Sequence, residues 1–152
     1  MEYKKYKDII ISRLGFGNMR LPEKDGRIDR EKASAMIDRA MKGGVTYYDT
    51  AFMYHHEDSE TFLGEVLPSY PRESFYLATK FNIGFNPDYR HVFETQLKKL
   101  KTDYFDFISS MPLVTIQSIL MWRMAVWPIS LSRKRKDAFA TLVSRAMPAL
   151  SR

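Results

Sequence analysis

The stretch Gly-Gly-Val-Thr-Tyr-Tyr-Asp-Thr-Ala-Phe-Met-Tyr, residues 43–54, decides the fold of this chain. Its two glycines are typical of a helix end, and the β-branched and aromatic residues after them predict a strand over Val45 to Tyr48. Asp49 follows this strand directly. A helix that stops at glycine, a short apolar strand and a carboxylate at the end of that strand predict one unit of an alternating helix and strand fold.

Units of the same kind lie on both sides of this stretch. The predicted helices run from an N-cap at Asp29 to about Lys42, from Ser59-Glu60 to Pro68, and from Pro87 to Lys101. The predicted strands are 14–17, 45–48, 75–79 and a fourth that begins at 104–107, after an N-terminal hairpin with its turn at Asp8. Alternation at this pace implies a parallel sheet with right-handed crossovers, either doubly wound or closed into a (β/α)₈ barrel.

The apolar pattern also predicts which residues are buried. Leu14-Gly15-Phe16-Gly17 is expected to be a short buried strand that ends in a glycine-containing loop. One face of each long helix is expected to point inward: Ala33, Met36, Ile37, Ala40 and Met41 in the first, and Val92, Phe93, Leu97 and Leu100 in the third.

Three polar residues follow the predicted strands, where such folds place their chemistry. Asp49 ends the second strand, Tyr54 comes five residues later, and Lys80 ends the third. A lysine ammonium beside a phenol stabilises the phenolate, and a carboxylate keeps that lysine charged and in place, so a tyrosine in such a group can protonate a carbonyl oxygen near neutral pH. The alternative is an exposed tyrosine beside an ordinary ion pair.

Five motifs in order and spacing resemble the aldo/keto reductases. They are L-G-F-G-N-M-R-L-P from Leu14, G-G-V-T-Y-Y-D-T-A-F-M-Y from Gly43, S-E-x-x-L-G from Ser59, L-A-T-K from Leu77 and L-x-x-L-x-x-D-Y-x-D from Leu97. The resemblance covers residues 1 to about 107. It implies the N-terminal part of a (β/α)₈ barrel that is capped below by the hairpin, and a family reaction in which NADPH or NADH reduces an aldehyde or ketone.

The resemblance also implies roles for single residues. Tyr54 matches the family's general acid, and Lys80 and Asp49 match the pair that tunes its acidity. Gly17, Asn18 and Met19 match the first loop near the nicotinamide, which together with Asp49 gives the expected cofactor-binding set. The expected substrate is a small-molecule carbonyl compound, and no metal is expected.

The chain departs from the family pattern after Phe107. The family's fourth strand ends in a phrase like D-F-Y-L-L-H, whose histidine orients the carbonyl, whereas this chain has D-F-I-S-S-M-P and no histidine after His91. His55 and His56 cannot replace it, because they match the loop after the tyrosine, where both are expected to be polar rim residues. A metal cluster of these histidines with Glu57 and Asp58 is disfavoured, since adjacent residues rarely converge on one ion.

The genetic code offers an explanation for this departure. One T restored to the end of the Phe107 codon makes the following residues compatible with D-F-Y-L-L-H-A, and in that frame the codons for residues 136–147 permit G-R-I-R-H-I-G-F-S-x-H, a later family phrase. We therefore expect two parts: a partial reductase barrel over 1–107, and an out-of-frame basic tail over 108–152. The barrel would be incomplete, with open sheet edges that favour self-association, and this chain is expected to be inactive and to bind no cofactor.

The charge distribution separates the same two parts. Residues 1–107 carry 17 basic and 17 acidic side chains, and residues 108–152 carry seven basic and one acidic, so the formal charge of +6 lies in the tail. A nucleic-acid partner is therefore not expected. The apolar run 113–131 followed by basic residues outlines a membrane anchor, but Arg123 within it makes insertion costly. A non-catalytic remnant or a membrane-associated protein is the alternative, and a cytoplasmic location is expected.

Overall fold

The computed structural model describes residues 1–6, 9–81 and 88–110. Its strands are β1 (Tyr3–Tyr6), β2 (Ile9–Ser12), β3 (Phe16–Gly17), β4 (Glu23–Lys24), β5 (Arg27–Ile28), β6 (Tyr47–Asp49), β7 (Tyr76–Phe81) and β8 (Phe107–Ser110). Its α-helices are α1 (Arg30–Lys42), α2 (Asp58–Val66) and α3 (Tyr89–Leu100). Two short 3₁₀ turns, Leu67–Ser69 and Arg72–Ser74, connect α2 to β7.

Four parallel strands form the central sheet, which contains Asp49 and Lys80. Their order in space is β3, β6, β7, β8, which is also their order along the chain. Asp49 at the end of β6 is opposite Gly17 on one side and Ala78 on the other. The described strands therefore show no reversal of order, which a doubly wound sheet would require. The arrangement confirms the predicted parallel α/β fold and favours the barrel over the doubly wound alternative.

The predicted N-terminal hairpin is present. Strands β1 and β2 pair antiparallel, with Tyr6 opposite Ile9. Ser12 attaches the hairpin to the amino end of β6, because its backbone N–H donates to Thr46 Oγ1 at 2.9 Å and its Oγ accepts from the backbone N–H of Thr46 at 2.9 Å. The hairpin thus lies at the end of the sheet opposite to Asp49.

Helix α1 begins and ends where its local sequence predicts. The Asp29 carboxylate caps it by accepting from the N–H of Lys32 at 3.1 Å, and Gly43 is its C-cap residue. Ala33 and Ile37 are fully buried, as expected, but Met36 is 43% exposed. The prediction for Met36 was wrong because consecutive helix residues lie about 100° apart, and Ile37 occupies the centre of the buried face.

Two further details differ from the sequence-based expectation. Leu14 is 60% exposed rather than buried, since β3 contains only Phe16 and Gly17 and Leu14 lies in the bend before it. The small hairpin of β4 and β5 was not predicted. Its turn is Asp25-Gly26, both with positive φ, and an Asp-Gly pair between two short segments is a known hairpin signal that could have revealed it.

The core lies between the sheet and the helices. Its central members are fully or almost fully buried and come from every layer: Ile37, Tyr48, Phe62, Leu63, Leu77, Val92, Leu100, Phe105 and Ile108. Helices α2 and α3 approach closely at Gly64, where a Cβ atom would clash with the carbonyl oxygen of Lys99. This close contact brings the first turn of α2 within hydrogen-bonding distance of α3.

Candidate active site

Lys80 and Asp49 form an ion pair at the carboxyl ends of two neighbouring strands. Asp49 is opposite Ala78 in the sheet, and Lys80 lies two residues beyond Ala78, so the two side chains share one face. Lys80 Nζ donates to Asp49 Oδ2 and to the carbonyl oxygen of Thr50, the latter at 3.1 Å. The side chains are 23% and 28% exposed. The ammonium group is therefore held in place but remains accessible from solvent.

Tyr54 lies beside this ion pair. Lys80 Nζ is 5.1 Å from the centre of the Tyr54 ring, a distance at which the cation attracts the electrons of the ring. Backbone hydrogen bonds fix the tyrosine within its turn: its N–H donates to the carbonyl of Ala51 at 3.1 Å, and its carbonyl accepts from Ser59 at 3.2 Å. The structure thus brings together the three residues that the sequence singled out for catalysis.

The turn after Tyr54 has an unusual backbone. His55, His56 and Glu57 all have positive φ, at 52°, 54° and 70°. Residues other than glycine rarely adopt this conformation, and each costs on the order of 1 kcal/mol or more. Such strain persists only where the surroundings enforce it, so the contacts of these three residues are informative.

The contacts of His55 help to hold this backbone conformation. The prediction that His55 is a rim residue was wrong. Its side chain is 6% exposed. Its Nε2 accepts from the backbone N–H of Leu21 at 3.1 Å, and its Nδ1 lies 2.8 Å from Glu23 Oε1. Because Nε2 is an acceptor, the ring proton belongs on Nδ1, where it can be donated to the carboxylate. His56 is exposed, as expected of a rim residue.

The loop from Gly17 to Met19 was expected near the cofactor. Gly17 and Met19 are exposed, and a Cβ atom at Gly17 would contact nothing within 4 Å. Asn18 is fully buried instead, and its Nδ2 donates to the carbonyl oxygen of Asp49 at 2.9 Å. Among the described residues its Oδ1 has no hydrogen-bond partner. Asn18 therefore fastens the end of β3 to the end of β6.

A group of buried polar residues near the ion pair was missed. Hydrogen bonds join Glu60, Thr79 and Gln96, and Ser59 precedes Glu60 in α2; all four are at most 1% exposed. Ser59 Oγ lies 2.9 Å from Thr50 Oγ1 and donates to the carbonyl oxygen of Asn18 at 3.2 Å. The available signal was the Ser-Glu pair at the start of α2, which the sequence pattern predicts only as a helix start and as part of a motif. Burial raises the pKa of the Glu60 carboxyl, although hydrogen bonds from Thr79 and Gln96 act in the opposite direction.

The described residues form neither a metal site nor a membrane-spanning helix. Within the described ranges, no group of three or more His, Asp or Glu residues is arranged to hold a metal ion. In the same part of the chain, no helix is long and apolar enough to cross a membrane. The segment 113–131, considered as an anchor, lies outside the described residues, as does the tail beyond Ser110.

Comparison with known proteins gives a consistent result. The model of the aldo/keto reductase family matches residues 13–111, four residues beyond the boundary expected at 107. The probable aldo-keto reductase 1 of Glycine max is 35% identical over 108 residues, which cover 63% of this chain and 31% of that protein. The chain thus spans less than a third of the length of this relative.

Solved structures agree on the fold. An aldo-keto reductase from Bacillus halodurans in its holo form has a TM-score of 0.62 at 26% identity, covering 83% of this chain and 48% of its own. One from Klebsiella pneumoniae in complex with NADPH has a TM-score of 0.61 at 20% identity, with coverages of 76% and 43%. The described strands and helices are thus part of a (β/α) barrel, as the sequence predicted. Because the family model matches well over half of its residues, this chain belongs to the aldo/keto reductase family.

Proposed function

We propose that Asp49, Tyr54 and Lys80 are the proton-donating part of an active site for NAD(P)H-dependent reduction of aldehydes or ketones. One observation carries this proposal: the Lys80 ammonium contacts the Asp49 carboxylate and lies 5.1 Å from the centre of the Tyr54 ring. All three residues lie at the carboxyl end of the sheet, where (β/α) barrels place their active sites. The reductase names of the matching proteins support the same reaction.

The three residues have separate roles in this proposal. Tyr54 donates a proton to the carbonyl oxygen of the substrate as negative charge develops there. The positive charge of Lys80 favours the phenolate that remains after the transfer. Asp49 holds the ammonium in position. A bound nicotinamide cofactor would supply the hydride that completes the reduction.

The loop from Gly17 to Met19 is suited to the edge of a cofactor site. The open surface at Gly17 would let a planar ring approach the backbone, and the exposed Met19 side chain offers an apolar contact. Asn18 lies between these two positions, and its Oδ1, which has no hydrogen-bond partner among the described residues, is buried, so Asn18 holds the loop against Asp49 through its Nδ2. We propose that Gly17, Met19 and Asp49 contact the nicotinamide end of NADPH or NADH and that Asn18 keeps this loop in place.

We also propose that residues 108–152 are an out-of-frame translation and that the 152-residue polypeptide alone neither binds the cofactor nor turns over substrate. Within the described part of the chain, β3 and β8 each have one pairing partner, so both edges of the sheet are open. A barrel needs all eight strands before its interior is filled. Open edges favour self-association, and a non-catalytic remnant is the competing interpretation. For the location of the chain we propose the cytoplasm.

The experiment compares two proteins. The coding DNA is sequenced through the Phe107 codon, and the chain is expressed both as it stands and with one T restored there. We expect NADPH oxidation with an aldehyde panel only from the restored protein, and saturable NADPH fluorescence quenching only there. Tyr54→Phe in the restored protein should lower kcat on the order of 10² to 10⁴-fold while cofactor binding persists, because only the proton donor is lost.

Tyr70→Phe is the matched control, because the Tyr70 hydroxyl donates to Asp38 at 3.2 Å and takes no part in the site. It should retain turnover. Unchanged turnover in Tyr54→Phe would mean that another group donates the proton. Micromolar NADPH binding by the 152-residue chain would refute the proposal that this chain lacks a cofactor site.

A further inference from the structure

Glu60 is a buried carboxyl group that the proposed proton transfer does not use. It lies in the first turn of α2 and is fully buried. Its Oε1 accepts two hydrogen bonds, from Thr79 Oγ1 at 2.6 Å and from Gln96 Nε2 at 2.7 Å. Both donors are uncharged. The carboxyl group therefore joins β7 and α3 through one oxygen atom.

The carbonyl group of Lys80 determines the orientation of the Gln96 amide. Gln96 Nε2 lies 3.1 Å from the carbonyl oxygen of Lys80. A carbonyl oxygen only accepts hydrogen bonds, so the amide nitrogen must face it and the amide oxygen must point elsewhere. Among the described residues, Gln96 Oε1 and Glu60 Oε2 are both buried acceptors without a hydrogen-bond partner.

A proton on Glu60 Oε2 would turn one of these two acceptors into a donor. If Glu60 were ionised, neither its Oε2 nor Gln96 Oε1 would receive a hydrogen bond. Buried polar groups without hydrogen-bond partners are rare. A proton on Oε2 turns that atom into a donor, and Gln96 Oε1 is then an available acceptor on a side chain already bonded to the same carboxyl. Acid and amide can form two such hydrogen bonds in one ring.

The charged groups around Glu60 act on its pKa in opposite directions. Lys99 on α3 and Glu57 in the preceding turn are the charged residues that act on it, with opposite effects. Lys99 Nζ is itself bonded to Glu57, at 3.1 Å to Oε2 and 3.2 Å to the backbone oxygen. Burial has the largest influence on the pKa of Glu60, and burial raises that pKa.

We propose that Glu60 is a neutral carboxylic acid in the folded protein, paired with the Gln96 amide, and that this pair positions the backbone of Lys80. The second part rests on the proposed function, which makes Lys80 part of the active site. The Lys80 carbonyl accepts from Gln96 and also from the N–H of Phe52 at 3.0 Å. Through this one oxygen, the pair connects β7 to the loop that carries Tyr54.

Infrared spectroscopy of the 152-residue chain tests the protonation state directly. A protonated carboxylic acid has a C=O stretching band that carboxylates lack. At neutral pH we expect such a band in the unaltered chain and its loss in Glu60→Gln. The matched control Glu94→Gln removes an exposed carboxylate from α3 and should leave the band unchanged. No band at neutral pH, or a band that persists in Glu60→Gln, would overturn the proposal.

The pH dependence of urea unfolding gives a second test. A carboxyl whose pKa is raised on folding binds its proton more tightly in the folded state, so its stabilising effect is complete below the unfolded value of about 4.3 and is lost as pH rises through the folded pKa. Relative to Glu60→Gln, the unaltered chain should lose stability as pH rises through this window. Parallel profiles for the two proteins would contradict a raised pKa.

Hydrogen exchange tests the positioning role. The Phe52 amide should exchange faster in Gln96→Leu, which removes the donor to Lys80, and faster in Glu60→Ala. Glu60→Gln should restore slow exchange, because its amide can replace a neutral acid but not a carboxylate. Unchanged exchange at Phe52 in Gln96→Leu would overturn the positioning role. None of these measurements depends on carbonyl reduction, so their failure is distinct from failure of the proposed reaction.

Discussion

The two ends of strand β7 each carry a pair of a basic side chain and an aspartate, and the pairs differ in their surroundings. At the carboxyl end Lys80 pairs with Asp49, and at the amino end Arg72, just before the strand, pairs with Asp106 at 2.7 Å. Both basic side chains are 23% exposed, but Asp106 is 9% exposed and Asp49 28%. The two ends therefore differ in the burial of the carboxylate: Asp106 is more deeply buried than Asp49.

At the amino end, the Arg72 guanidinium uses nearly all of its hydrogen-bond donors. The Arg72 guanidinium makes four hydrogen bonds, to Thr102 Oγ1, to the carbonyls of Phe75 and Tyr104, and to Asp106. Its charge also lies 3.9 Å from the centre of the Tyr104 ring. The Asp106 carboxylate accepts from the backbone N–H of Leu77 at 2.9 Å as well. These bonds fasten the start of β7 to the segment that enters β8.

The difference shows how one strand can serve stability at one end and chemistry at the other. An arginine with a rigid fork of donors suits a site that must hold several acceptors in fixed directions. A lysine has one compact charge on a flexible stem, which suits a site where the charge must lie near a reacting group. (β/α) barrels in general place stabilising residues at the amino face and catalytic residues at the carboxyl face.

The largest expected effect is at the amino end. Arg72→Met keeps the apolar stem but leaves the Asp106 carboxylate buried without its cation. Breaking a buried pair from one side costs roughly 3 kcal/mol or more, because the remaining charge is uncompensated. We expect the free energy of unfolding to fall by about that amount in urea titrations of the 152-residue chain.

Arg13→Met is the control for this prediction. Arg13 also pairs with a carboxylate, Glu2, but the two side chains are 67% and 75% exposed. Its removal should change the unfolding free energy by less than about 1 kcal/mol. Equal losses in Arg72→Met and Arg13→Met would mean that burial of the amino-end pair does not matter, and the contrast between the two ends would no longer hold.

A smaller effect is expected at the carboxyl end. Lys80→Met leaves Asp49 partly exposed, so water can solvate the carboxylate in place of the ammonium. We expect a loss of about 1 kcal/mol in the free energy of unfolding, measured under the same conditions. A loss as large as that of Arg72→Met would show that Lys80 is mainly a structural residue. In that case the proposed catalytic role would lose its physical basis.

Local sequence signals predicted the elements well, and they predicted that Asp49, Tyr54 and Lys80 meet at one edge of the sheet, where the structure has them. Gly43 ends α1, the strand before Asp49 is present, and Lys80 comes at the end of β7, as their patterns indicated. Each of these signals lies within a few residues of the feature that it predicts. The parallel sheet then brings Asp49 and Lys80 together, because neighbouring parallel strands end at the same edge.

The residues that were missed depend on partners far along the chain. His55 bonds to Leu21 and Glu23, more than 30 residues earlier, and Glu60 bonds to Gln96, 36 residues later. A polar residue next to a turn or a helix start is usually exposed, so residue type alone predicts that His55 and Glu60 are exposed. Only the packing of α2 against α3, and of the turn after Tyr54 against the β4 region, buries these side chains.

The smallest expected effect concerns the surface between the two ends. Tyr47 lies two residues before Asp49 in β6, on the same face, and its ring is 5.6 Å from that of Phe107. Burial, together with the negative charge of Asp49, raises the pKa of Tyr47 to about 12. Tyr47 is half-buried, so partly desolvated surroundings extend to within two residues of the ion pair.

A spectrophotometric titration of tyrosinate formation measures where this boundary lies. Because the pKa of Tyr47 is higher in the folded chain than its unfolded value of about 10, the folded state binds the proton more tightly, and this stabilising effect is lost as pH rises from about 10 through about 12. Tyr47→Phe should remove a late titration step and lessen the loss of stability in that window. Tyr3→Phe, which removes an exposed tyrosine, should leave the late step in place. A Tyr47 that titrates near 10 would place water along the whole face of β6, and the two ends would then differ in their partners alone.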